Sequence, residues 1–277
     1  MAQDYLQSKD YSIGTVLTDF RPFYIPIFQR PYSWGKTECQ KLWEDIVDFF
    51  ITKEPYKVQL ADAPKYFLGA LVVYQDGPDE TKRMAVIDGQ QRITTLMLLL
   101  KVFYDILNPI TDRKDNDQQK AKEALERIEK SLWTLEWNEE ADGSVPQFDK
   151  PILQSDAIDD EDAKNDFLNI ITTQTFNSES IDAKKNLSSY LENYLELKAL
   201  IDKSFAAGGE LATTPKPRFI NSILDYCTVL FIKSQKEEDA LRIFNTLNNR
   251  GMQLLDADIL KSQLYQETPG DKSSFKD

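Results

Sequence analysis

Val86-Ile-Asp-Gly-Gln-Gln-Arg-Ile-Thr-Thr95 reads as a strand that stops at Asp88-Gly89, followed at once by a helix. The helix is expected to start near Gln91 and to run to about Leu107. Ile93, Leu96, Met97, Leu98, Leu99, Leu100, Val102, Phe103 and Tyr104 cover nearly every face of it, and a helix that is apolar all round is a buried one. Upstream, Tyr66 to Tyr74 is a continuous apolar run of strand length, Gln75-Asp-Gly-Pro-Asp-Glu80 is a turn, and Lys82 to Ile87 is a second strand. Together these predict a β-hairpin leading into a buried helix, and hence a mixed α/β (α+β) chain.

Outward from this centre the signals vary in strength. Tyr24 to Tyr32, broken by prolines, predicts a short extended edge strand or loop. Leu42, Trp43, Ile46, Val47 and Phe50 recur at helical spacing, which predicts a helix over 37–52 with Thr37 as its N-cap. Residues 116–133, 160–171 and 181–206 read as helices, and 134–160 as an acidic irregular stretch. A loop rich in Ala, Gly and Thr precedes Asp225 to Lys233, a β-branched and aromatic strand. A helix over 237–249 would end at Gly251, and Asp256 would cap a last one reaching about Gln266. Two parts are expected: residues 1–110 as the core, and 111–277 as a mainly helical region.

Composition narrows the chemistry. Among 277 residues there is no histidine, which excludes a Ser-His-Asp triad, a Cys-His pair and His-ligated zinc. Catalysis must use carboxylates, amides, cationic side chains, hydroxyls or a hard metal ion. Two cysteines are too few for a disulfide framework, so a reduced, cytoplasmic protein is expected. The start of the chain carries no apolar segment of the secretory type. Lys101 and Asp105 interrupt the most apolar run, so no membrane span is expected. The net charge of −13 argues against DNA binding by the whole surface. It is unevenly spread: residues 136–166 hold 11 acids against two bases, whereas residues 1–105 hold 14 against 12. A local basic site in the N-terminal part is therefore compatible with the acidic total. The acidic stretch itself reads as a solvated surface without a metal.

A helix that opens directly after a strand presents unpaired N–H groups and the positive end of its dipole, which favours a phosphate. Gly89 lets the chain turn tightly and lets a ligand approach. Arg92 offers a planar donor fork for phosphate oxygens. Asp88 is a candidate magnesium ligand, and Gln90 or Gln91 could orient a water or a base edge. The same residues also fit a plain strand–turn–helix connection, since neither a P-loop nor a dinucleotide-binding fingerprint occurs. Gln29, Arg30, Tyr32 and Trp34 combine polar and aromatic groups suited to a base or sugar, although the two rings also fit a core. In Phe244 to Lys261, Asn245 and Asn248 share a helix face before a turn at Arg250-Gly251, which fits a capped helical hairpin.

Taken together, three motifs resemble the DGQQR-motif family, the N-terminal (GmrS-like) domain of GmrSD-type modification-dependent restriction systems. They are Ile25-Pro-Ile-Phe-Gln-Arg-Pro-Tyr-Ser-Trp34, Asp88 to Arg92 followed by Thr94-Thr95-Leu96, and Phe244 to Lys261 with Asn248, Gly251, Leu255, Asp258 and Lys261. The resemblance spans about residues 10–266. It implies a ParB/sulfiredoxin-like core followed by a mostly helical region. It also implies hydrolysis of a nucleoside triphosphate, GTP or UTP, with Mg2+, in defence against modified DNA and phage. Carried over, Asp88, Gln90, Gln91 and Arg92 would be catalytic, with Asp88 the metal ligand. Gln29, Arg30, Tyr32, Trp34, Gly89, Thr94 and Thr95 would bind the nucleotide. Asn245, Asn248, Arg250, Gly251, Asp258 and Lys261 would support the site. A nuclease of the His-Asn-His type, in another domain or subunit, is the implied partner, because a chain without histidine cannot supply that chemistry. The alternative is a module that senses a nucleotide or modified DNA without turnover.

Overall fold

The computed structural model describes residues 6–77, 82–109, 116–158, 160–177 and 187–248. The strands are β1 (Leu6–Ser12), β2 (Phe23–Ile25), β3 (Tyr66–Asp76), β4 (Arg83–Asp88), β5 (Trp133–Asn138), β6 (Gly143–Pro151), β7 (Leu153–Ser155) and β8 (Cys227–Ser234). The helices are α1 (Ile13–Asp19), α2 (Lys36–Lys53), α3 (Gln90–Leu107), α4 (Asn116–Leu132), α5 (Glu161–Thr172), α6 (Ser189–Phe205), α7 (Lys216–Tyr226) and α8 (Glu237–Asn248).

Six strands form one mixed sheet in the order β1-β8-β3-β4-β2-β7, and β5 and β6 form a separate hairpin. β3 and β4 are antiparallel, as the predicted hairpin requires, with a register shift between Val72 and Val73. β8 lies between β1, to which it is antiparallel, and β3, to which it is parallel. Its residues are all buried or half-buried, as befits a strand paired on both sides. The sheet thus takes β7 and β8 from beyond residue 110, and the main core runs from Ile13 to Phe231 without a break at that point.

One face of the sheet carries this large core with α1, α3, α4, α6 and α7. The other carries a small cluster in which Ala240 and Leu241 of α8 meet Phe28, Val72, Ile87 and Ile232. As expected, α3 is buried almost all round and packs on α4 and α6. Even Lys101 is 0% exposed there. Its Nζ lies 2.5 Å from Asp105 Oδ1, while Asp105 also accepts hydrogen bonds from Tyr194 Oη and the Phe176 N–H. The polar pair inside an apolar helix is thereby satisfied and ties α3 to α6. Among the described residues no helix is long and apolar enough to cross a membrane.

Four local expectations need correction. Thr37 lies within the first turn of α2; Gly35 is the N-cap, and its N–H is satisfied by the Glu38 carboxylate at 2.9 Å. The stretch 134–160 is not irregular but holds most of β5, and β6 and β7. Its strands have largely exposed, polar side chains, so the apolar alternation that marks a strand is weak. Residues 26–32 are the expected loop, but the short strand before them is not at an edge: β2 pairs with β4 on one side and β7 on the other. Finally, α7 was not anticipated; it follows Pro215 directly and buries Phe219, Ile220 and Ile223. The helix read at 181–206 is seen as Ser189–Phe205. The elements expected at Gly251 and from Asp256 onward lie outside the described residues.

Candidate functional site

The turn between β4 and α3 is built on Gly89, whose φ of 90° lies in the left-handed region. A Cβ there would sit 2.9 Å from Leu71 Cδ1 and 3.1 Å from the Ala70 carbonyl oxygen. Glycine is therefore required both by conformation and by space. The Gly89 N–H donates to Asp88 Oδ1 at 2.8 Å, which holds the carboxylate beside the helix N-terminus. Burial pushes the Asp88 carboxyl above its ordinary range, opposed by Arg92, by this N–H and by Arg30.

Arg92 does not reach freely into solvent. Its guanidinium lies flat over Gly69, where a Cβ would come within 2.9 Å of Nη2, and its Nη1 donates to the Ala70 carbonyl at 2.7 Å. Gly69 itself has a φ of 106°. A glycine inside an apolar strand often marks such a close approach, so this partner was legible in Tyr66 to Tyr74 but was not read. Against Gly89 and Arg92 lies a void of about 10 Å³, lined also by apolar groups of α1, α3, β3 and β8. That void is too small for a nucleotide.

The two glutamines hold the loop that carries the first motif. Gln90 Nε2 donates to the Arg30 carbonyl at 3.0 Å. Gln91 Nε2 donates to the Pro31 carbonyl at 3.1 Å, and its Oε1 accepts from the N–H groups of Ser33 (2.8 Å) and Trp34 (3.1 Å). Gln29 joins in, donating to the Ile87 carbonyl at 3.2 Å. A primary amide offers a donor and an acceptor in one plane, so Gln91 pairs with loop backbone much as a strand would.

Tyr32 is buried and stacks on Tyr190 of α6, with ring centroids 4.8 Å apart. Its hydroxyl lies 2.8 Å from Thr95 Oγ1, which donates to the Gln91 carbonyl, and it accepts from Asn193 Nδ2 at 2.9 Å. Asn193 Nδ2 also donates to the Trp34 carbonyl at 2.6 Å. Burial pushes the Tyr32 phenol well above its ordinary value and the adjacent Cys39 thiol up to about 12, so neither ionises near neutrality. Thr94 is buried as well. Asn193 and Tyr190 carry no motif signal and were missed, because only the packing of α6 brings them to the loop. The structure thus gathers Gln29, Arg30, Asp88, Gly89, Gln90, Gln91 and Arg92 at one turn. It places Tyr32, Trp34, Thr94 and Thr95 behind it, with Arg30 exposed in front.

The third motif approaches from the opposite face. Leu241 of α8 is buried with Phe28 and Ile87, and Phe244 packs against the same cluster, so the first and third motifs meet beside Ile87, the residue before Asp88. Asn245 is half-buried on that helix. The Asn248 side chain and Arg250, Gly251, Asp258 and Lys261 lie outside the described residues.

Among the described residues no group of three or more Cys, Asp or Glu side chains gathers to hold a metal. Asp88 is thus a single carboxylate at a helix N-terminus. That donor set fits magnesium, which is commonly held by one or two carboxylates together with substrate phosphates and water.

A comparison with curated proteins returned no match. The sequence matches the GmrSD restriction endonuclease N-terminal domain over residues 8–265, nearly its whole length and all three motifs, and the chain belongs to that family.

Proposed function

We propose that this chain binds and hydrolyses a nucleoside triphosphate, of the GTP or UTP kind, on a ParB/sulfiredoxin-like core. It would act as the nucleotide-driven part of a restriction system against modified DNA, alongside a nuclease domain or subunit. The observation that carries the reading is the Asp88-Gly89 turn at the N-terminus of the buried helix α3, with one arginine fixed beside it and another exposed in front. The family, a domain of restriction endonucleases, supplies the biological setting.

The roles follow from the geometry. The first N–H groups of α3 lack intrahelical acceptors and suit phosphate oxygens. Arg30, exposed at the rim, adds a charged donor fork. Asp88 would hold the magnesium ion, which supplies charge neutralisation for the leaving diphosphate. Water oxygen bonds to the terminal phosphorus as the bridging P–O bond breaks. Gln90 and Gln91 keep the first-motif loop against this surface. Gln91 engages the loop through both its oxygen and its nitrogen, whereas Gln90 does so through one N–H and could present its oxygen to the water. Arg92 shapes the turn through Ala70.

Because Gln91 is committed to backbone through both its oxygen and its nitrogen, a second reading has specific support: a sensor that binds the nucleotide and changes the loop without turnover. One experiment separates them. Phosphate release from ATP, GTP, CTP and UTP, with and without magnesium, is measured beside nucleotide binding for the wild type, Asp88→Asn and Arg30→Ala. Magnesium-dependent release that Asp88→Asn abolishes, in a variant whose unfolding midpoint is not lowered, supports hydrolysis. Binding that Arg30→Ala weakens, without release, supports the sensor. A folded wild type that neither binds nor hydrolyses any of the four overturns both.

A further inference from the structure

At the far edge of the sheet from the 88–92 turn lies an open groove of about 460 Å³ along β1 and β8. It is far larger than the void under Gly89 and shares no residue with it. Its floor is aromatic: Phe20 and Phe231 stack with centroids 4.3 Å apart, and Tyr11 meets Phe20 edge-on at 5.0 Å. Tyr11 and Phe20 are half-buried, so parts of their rings remain available to a ligand.

The rim is cationic. Gln7 pairs with Lys233, and Lys9 with Phe231, so strand alternation puts Gln7, Lys9, Tyr11, Phe231 and Lys233 on one face. Lys9 and Lys233 are diagonal cross-strand neighbours, about 7–8 Å apart at the backbone. Lys9 is exposed, with Nζ 5.3 Å from the Tyr11 ring centroid. Asp10, the acid next to Lys9 in sequence, alternates to the opposite face. Lys233 is half-buried and makes no ion pair among the described residues. Burial and then the like charge of Lys82 pull its pKa below the ordinary value. Lys9 and Lys233 bring two positive charges to one rim, and a ligand with repeated negative charge complements them. In a chain of net charge −13 the arrangement is also local.

We propose that this groove binds single-stranded nucleic acid, with a base lying against Tyr11 and Phe20 and successive phosphates at Lys9 and Lys233. An aromatic floor with a cationic rim is the combination that an unstacked strand requires, because each nucleotide offers a ring face and a charge. A duplex keeps its bases stacked and cannot reach the floor. The inference rests on the DNA-directed part of the proposed function and not on nucleotide turnover.

The test is fluorescence anisotropy of a labelled oligothymidylate of about 12 nucleotides, within the length such grooves cover. Binding by the wild-type chain should weaken as salt rises. Lys9→Gln and Lys233→Gln should each weaken it several-fold and lower the log–log salt slope by about 0.7. Tyr11→Leu should weaken it with the slope unchanged, and unfolding midpoints confirm that each variant folds. Three outcomes overturn the proposal: no strand binding at low salt, binding indifferent to both lysines, or displacement by polyglutamate as readily as by the unlabelled strand. Displacement by GTP with magnesium overturns it too, since the strand would then occupy the nucleotide site. Duplex binding that ignores Lys9 and Lys233 would leave the DNA-directed reading standing and remove this groove from it.

Discussion

Replacing Gly69 by alanine tests whether Arg92 is held by the strand beneath it. At a φ of 106°, an L-residue is strained, at a cost of about 1–3 kcal/mol. The added Cβ would also stand 2.9 Å from Nη2, 3.1 Å from Cζ and 3.3 Å from Nη1 of Arg92. All three atoms belong to the end of a flexible side chain, so the guanidinium gives way rather than the backbone. Moving it breaks the 2.7 Å bond to the Ala70 carbonyl, a charged hydrogen bond worth about 1.5–3 kcal/mol. The two effects together predict a loss of about 2.5–6 kcal/mol. Denaturant unfolding reads this as a lower midpoint at an unchanged slope. Nucleotide binding should fall in parallel, because the displaced guanidinium crowds the face of the turn. A Gly69→Ala protein that unfolds at the wild-type midpoint and binds nucleotide normally would refute the reasoning. Arg92 would then be an incidental neighbour of Gly69.

Three more predictions follow from the same geometry. Asp88 has a folded-state pKa raised by burial above the ordinary 3.8, so the native state binds the proton more tightly than the unfolded state does. Its contribution to stability is therefore present below that value and lost as pH rises through the raised one. Asp88→Asn, which can still accept from the Gly89 N–H, should thus gain stability relative to wild type as pH climbs above about 4, while losing turnover; urea unfolding across pH checks it. Gln91→Ala removes one donor and one acceptor from the 31–34 backbone and should cost about 2–4 kcal/mol, with faster amide exchange at Ser33 and Trp34. Lys101→Met leaves Asp105 charged and buried and should cost about 3–5 kcal/mol, most of it recovered when Asp105→Asn is added, as a double-mutant cycle in denaturant would show.

The local elements near the site were legible because each carries its own periodicity or turn chemistry. The apolar run at 66–74, the turn after it and the all-apolar helix from Gln90 need no distant partner to declare themselves. The β5–β6 hairpin and α7 did not, for opposite reasons. The hairpin exposes polar side chains on strands that bury little, and α7 follows directly on a proline after a loop. The edge position expected for β2 failed because strand order depends on β7, a three-residue strand from more than a hundred residues away.

The sequence by itself determined the chemistry available: no imidazole, one Asp-Gly turn opening a buried helix, and three motifs shared with a restriction-system domain. Only the tertiary structure decided what each of those side chains does. The glutamines at 90 and 91 could as well have faced solvent. Arg30 to Trp34 could as well have formed an open aromatic platform. Packing of α6 against the first-motif loop turned Tyr32 inward to Thr95 and Asn193, and the loop backbone engaged both ends of Gln91 and one N–H of Gln90. The reason is physical: a side chain's donors and acceptors are set by its type, but their partners are set by whichever backbone the fold brings within about 3 Å. The groove at β1 and β8 makes the same point, since Lys9 and Lys233 are more than two hundred residues apart and meet only through strand pairing.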